Sequence, residues 1–104
     1  MILVTTDTIP GKQIEALGLV SGSMVKSKNM FKDIGAGLKN VVGGELVSYT
    51  KMLAESREEA TARMIKEAEA LGADAIVAIR FSSSAVTQGA AEMLVTGTAV
   101  KVVE

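Results

Sequence analysis

The chain has 104 residues, 48% of them hydrophobic, with two Phe, one Tyr and no Trp, so a single core of Ile, Val, Leu, Ala and Met is expected. Eleven basic and twelve acidic residues leave a net charge of −1, which argues against a broad electrostatic footprint for nucleic acid or an anionic membrane. Cys and His are both absent, which excludes disulfides, thiolate metal sites, cysteine nucleophiles and an imidazole base, and with them the common zinc and copper ligand sets.

The N-terminal stretch Met1 to Asp7 has no basic region of the signal-peptide type and is read as mature structure. No apolar run reaches the roughly 18 residues of a membrane span, so a soluble, cytoplasmic protein is expected. A first strand is predicted at Ile2 to Thr6, stopped by a turn over Asp7 to Gly11 that contains the only proline, Pro10. From Lys12 to Lys26 a long extended region carries Ile14, Ala16 and Val20 at even positions, with bulges or bends expected at Gly18 and Gly22. Asn29 then suits an N-cap, and Phe31, Ile34, Leu38, Val41 and Val42 recur at helical spacing. A short amphipathic helix follows from that spacing, weakened by Gly35 and Gly37 and ended at Gly43-Gly44.

The longest element runs from Glu45 to Leu71, with Tyr49, Leu53, Ala60, Met64, Ala68 and Leu71 on one stripe and Gly72 as its stop. Opposite charges four apart at Lys51/Glu55, Glu59/Arg63 and Arg63/Glu67 suit an exposed helical face. Such a helix is about 40 Å long. A compact domain of this size is only about 26 Å across, so part of the helix is expected to pack on another subunit. Ala75 to Phe81 reads as a strand covered on both faces, Ser82 to Ser84 as a solvent-facing bend continuing to Val86, and Glu92 to Val102 as the return strand after a turn at Gln88-Gly89. The pattern predicts one α+β domain over residues 1–104, a mainly antiparallel sheet with one short and one long helix packed on one face. Its small size favours completion of the core by self-association.

Val4-Thr5-Thr6, Ile9-Pro10-Gly11-Lys12, Gly18-Leu19-Val20-Ser21-Gly22, Val41-Val42-Gly43-Gly44 followed by Tyr49, Gly72-Ala73-Asp74-Ala75-Ile76-Val77 and Gly97-Thr98-Ala99-Val100 occur in an order and spacing that resembles the YbjQ-like family. The resemblance covers nearly the whole chain. It implies a YbjQ-like or dodecin-subunit-like α/β subunit assembled with itself into a ring, a pentamer, and no known reaction. The family carries a heavy-metal-binding label, but this chain offers a metal only carboxylates, hydroxyls, carbonyls and Met sulfur, so no metal site is carried over.

Candidate ligand-binding residues are Lys12, Asp33, Gly43, Gly44 and Tyr49. Gly43-Gly44 ahead of a helix presents backbone N–H groups suited to an anion, although the Lys-Ser/Thr ending of a P-loop is missing and a tight turn is the simpler reading. Asp33, with Lys32 and Lys39 near it in sequence, suits a polar pocket or a solvated face. Tyr49 is either a ligand-orienting hydroxyl at an interface or a packing anchor. Lys12 is either positioned by Pro10-Gly11 or a lysine guarding a strand edge. Six methionines suggest soft copper coordination only weakly, because Met64 and Met93 fall at core positions. Ser82 to Ser84 lack a histidine base, and adjacent Glu58-Glu59 diverge on a helix. The expected function is therefore a non-enzymatic oligomeric ligand-binding or scaffold ring of unassigned cofactor. Heavy-metal binding is the alternative, and an enzyme with a site at the subunit interface is a second.

Overall fold

A computed structural model describes residues 1–27, 44–87 and 89–103. Five elements follow in chain order: β1 (Ile2–Leu3), β2 (Ile14–Ser27), α1 (Gly44–Ala70), β3 (Ala75–Thr87) and β4 (Ala90–Val102). The short helix expected at residues 29–42 lies outside the described residues. What is described is one helix on a four-stranded sheet ordered β1-β3-β4-β2.

β2 and β3 each pair antiparallel with β4, whereas β1 runs parallel to β3 through Ile2↔Ala75 and Leu3↔Ile76. The sheet is thus mixed, and the first strand is two residues long rather than five. A bulge in β3 explains the shortening. The register against β4 shifts between Val77 and Arg80, and Ala78 adopts a positive φ of 54°. That kink turns two successive amides outward, Ala78 N–H to the Thr6 carbonyl and Ile79 N–H to the Val4 carbonyl, so residues 4–6 are held by a bulge and not by a regular ladder.

α1 packs along β2 and β4. Its fully buried residues are Met52, Ser56, Ala60, Met64 and Ala68, one every four positions, which forms a ridge running nearly along the helix. This ridge meets Val20, Ile76, Met93, Val95 and Ala99 in the main core. Each large side chain buried there contributes roughly 1.5–3 kcal/mol. The predicted stripe held Ala60, Met64 and Ala68, while Leu71 lies beyond the helix and is 47% exposed. Ser56 is buried without an orphaned hydroxyl because its Oγ donates to the Met52 carbonyl at 2.8 Å. Gly22 is not a bend, since β2 keeps register with β4 from Gly18 to Ser27 and the bulge falls between Ala16 and Gly18. A Cβ at Gly22 would collide with the Ala60 carbonyl oxygen and stand 2.8 Å from Met64 N, so glycine here sets how closely helix and sheet approach.

The other face of the sheet is covered only near β1, where Ile9, Ala75, Val77 and Val100 form a second small core. Farther along, Leu19, Val25 and Leu94 occupy that face by strand alternation and are 75%, 54% and 36% exposed. The molecule is correspondingly long: its radius of gyration is 17.0 Å, with extents of 56 × 22 × 19 Å, against about 13 Å for a compact chain of this length. The long helix does not overhang its own sheet, as its length had suggested. The 14 residues of β2 span about 46 Å and match it.

Candidate functional site

Among the described candidates, Gly44 and Tyr49 share the start of α1, and Lys12 lies apart from them within one copy. Lys12 is exposed in the turn closed by its N–H to the Ile9 carbonyl at 3.1 Å, just ahead of β2. Gly44 opens α1, and Tyr49 is half-buried in its second turn. Asp33 and Gly43 lie outside the described residues. Gly18 in β2 faces Leu71 beyond the C-terminal end of α1, and Lys26 pairs with Glu55 and Glu59 toward the other end. Helix and strand are therefore antiparallel, and Lys12 and Tyr49 sit at opposite ends of β2, roughly 40 Å apart along it.

Lys26 shares the helix-facing phase of Val20, Gly22 and Met24 and is only 7% exposed. Its Nζ stands 2.6 Å from Glu59 Oε1 and 3.7 Å from Glu55 Oε2. The hydrogen bond to Glu59 raises the lysine pKa above its ordinary value, and the charges of both carboxylates add to it against the opposing effect of burial. The amine stays protonated, whereas a nucleophilic or basic lysine needs the reverse. Two more helix charges reach the sheet: Glu67 accepts the Ser21 N–H at 3.2 Å, and Arg63 donates to the Ser23 carbonyl at 2.9 Å. Glu55, Glu59, Arg63 and Glu67, predicted to pair along the helix, thus serve β2.

Asp74 joins the ends of the sheet. Its Oδ2 accepts the Val102 N–H at 2.9 Å, its own N–H donates to the Val100 carbonyl at 2.9 Å, and Lys101 Nζ lies 3.5 Å from Oδ1. The Val102 N–H holds the carboxyl below the usual Asp range, with Lys101 contributing.

Two clefts open on the described surface. One of about 270 Å³ lies against the bulge, lined by Ile14, Ala16, Val77, Ala78 and Thr98, with Asp7 as its one charged residue. The other, about 200 Å³ and apolar, lies between β3 and α1 and is lined by Leu3, Val4, Thr61, Met64, Ile79 and Phe81.

The family model described as "Putative heavy-metal-binding" matches residues 1–103. The chain belongs to the YbjQ-like family. It is 58% identical over 102 residues to a UPF0145 protein of Clostridium novyi, covering 98% of this chain and 99% of that one. A UPF0145 protein of Methanosarcina acetivorans is 55% identical over 103 residues (98% and 97% covered), and one of Vibrio parahaemolyticus is 53% identical over 105 (all of both). A crystal structure of a DUF74-family protein of unknown function from Pediococcus pentosaceus superposes with a TM-score of 0.70 at 13% identity, covering 98% and 97% of the two chains, and shares the fold.

The donor set of this YbjQ-like chain does not suit the metal in the family description. Among the described residues no three Asp or Glu side chains gather in one place, and the chain has no His or Cys. Glu59 and Glu55 are committed to Lys26, Glu67 to Ser21 and Asp74 to Val102. Met64 and Met93 are buried in the main core, with Met24 packed against it, as fillers. No helix among the described residues is long and apolar enough to cross a membrane. What reading the residues alone missed is Lys26, although its phase in β2 was visible, and the apolar cleft beside Phe81; the solvent-facing run from Ser82 to Val86 was read from the residues.

Proposed function

We propose that this protein is a non-enzymatic subunit of the cytoplasm that assembles with itself into a ring, a pentamer by its family resemblance, and acts as a small-ligand binder or scaffold. The observation that carries this reading is surface area. The chain exposes 6541 Å², whereas a compact monomer of 10.8 kDa exposes about 5500 Å². The excess, about 1000 Å², is of the order that one partner buries in a standard interface, about 800 Å². Exposed Leu19, Val25, Phe81 and Val86 lie on that surface.

The absence of His and Cys supports the non-enzymatic reading, because the imidazole base and the thiol nucleophile are missing. The protonated state of Lys26 supports it further. Native mass spectrometry of the purified protein tests the proposal. A closed species at a fixed multiple of 10.8 kDa is expected. A purely monomeric spectrum would overturn it, and stoichiometric uptake of a heavy-metal ion would restore the metal reading.

A further inference from the structure

The two long edges of the sheet differ in what covers them. Beyond Ile79, β3 continues for eight residues, Arg80 to Thr87, paired with β4 on one side and with no strand on its other side among the described residues, since β1 pairs only with Ala75 and Ile76. All eight are exposed, Phe81 at 45% and Val86 at 53%. Ile79 N–H points outward to Val4, and strand alternation then sends the backbone groups of Phe81, Ser83 and Ala85 out of the same edge. This edge carries one charged residue, Arg80, and otherwise small or apolar side chains, with no lysine, proline or further bulge before Ala85 to block pairing. An apolar cleft lined by Phe81, Met64 and Thr61 runs beside its start.

The outer edge of β2 is the other open flank. There the outward groups belong to Ser21 and Ser23, each held by a single exposed helix side chain, Glu67 and Arg63. The flanking Leu19 and Val25 are 75% and 54% exposed.

We propose that the free half of β3, Arg80 to Thr87, pairs with the outer edge of β2 in a second copy of this chain. The inference rests on the self-assembly reading above and names the surfaces that carry it. The second copy is the occupant because it brings an edge long enough to pair all eight residues, with exposed apolar side chains, and because the surplus surface is of the size one such contact buries. Two different edges meet, so the contact is heterologous, and it leaves one unused edge of each kind until a ring closes. Closure then removes every long edge at once.

The test uses Ser83→Pro and Ser21→Pro, each removing one outward N–H from an edge strand, where proline is tolerated. Native mass spectrometry and circular dichroism are read on the wild type, each variant alone, and the two mixed, one of them isotope-labelled. The wild type is expected as the closed assembly and each variant as a folded monomer. The mixture is expected to give a labelled–unlabelled pair through the one intact edge of each kind, and nothing larger. An assembled wild type with Ser83→Pro still fully assembled overturns the edge pairing while leaving self-assembly standing; a monomeric wild type overturns both. Ser21→Pro persisting alone as a dimer overturns it too, because β3 would then be pairing with itself. If a variant fails to fold, hydrogen exchange on the assembled wild type decides: the Phe81, Ser83 and Ala85 amides are expected to exchange at least about a hundredfold more slowly than exposed amides, and fast exchange overturns the proposal.

Discussion

β3 contains two strands' worth of chemistry in one. From Ala75 to Ile79 it has β4 on one side and β1 followed by residues 4–6 on the other, and every residue but Ala78 is buried; from Arg80 to Thr87 it has β4 on one side only, and every residue is exposed. The change falls at the bulge, where Ala78 sits at a φ of 54°. The first half is therefore a stability element of the isolated chain. The second contributes little to the monomer's core and leaves surface for a partner.

The largest test of this contrast is Ile76→Ala. Ile76 is fully buried in the main core, so a loss of about 3 kcal/mol in unfolding free energy by urea titration is expected. Gly97→Ala comes next. Its new Cβ would stand 2.5 Å from Ile76 Cγ2, and overpacking should cost about 2 kcal/mol on the same assay. At the boundary, Ala78→Gly should stabilise by about 1 kcal/mol, because a left-handed φ is strained for alanine and free for glycine. Equal destabilisation by that change would show that the bulge is held by the alanine methyl. Phe81→Ala is the smallest on this scale: under about 0.5 kcal/mol for the monomer, yet a measurable weakening of the assembly in dilution experiments. A loss as large as that of Ile76→Ala would erase the contrast.

Acid provides an independent probe of the buried end. Asp74 has its folded pKa lowered, chiefly by the Val102 N–H, below the ordinary 3.8. Its contribution is present above the unfolded value and is lost as pH falls through the folded one. Asp74→Asn should flatten that part of the stability profile below about pH 4, measured by thermal melts.

Much of this was legible in the residues. The helix from Gly44 to Ala70 follows from its apolar spacing and Gly72, and the β3–β4 hairpin from its alternation about Gly89. Met52 and Ser56 escaped the stripe because a serine hydroxyl looks polar until its bond to a helix carbonyl is seen. The parallel β1–β3 pairing joins residues more than 70 positions apart, which no local pattern encodes. The partners of the helix charges escaped the sequence for a related reason. Spacing four apart describes a helix in isolation, whereas Glu59, Arg63 and Glu67 find partners on β2. Lys12 and Tyr49 were each chosen by residue type, and the antiparallel run of β2 along α1 places them at opposite ends of β2 within one copy.

Asp74 has one more consequence. Its carbonyl accepts the Ile2 N–H at 3.4 Å while its carboxylate accepts the Val102 N–H, so the start of β1 and the end of β4 meet at a single residue. A short peptide bridge could join them without disturbing the sheet, and a circular permutant reopened at the Gly89 turn, at the far tip of the hairpin, is a practical way to relocate fusion partners from one pole of the molecule to the other.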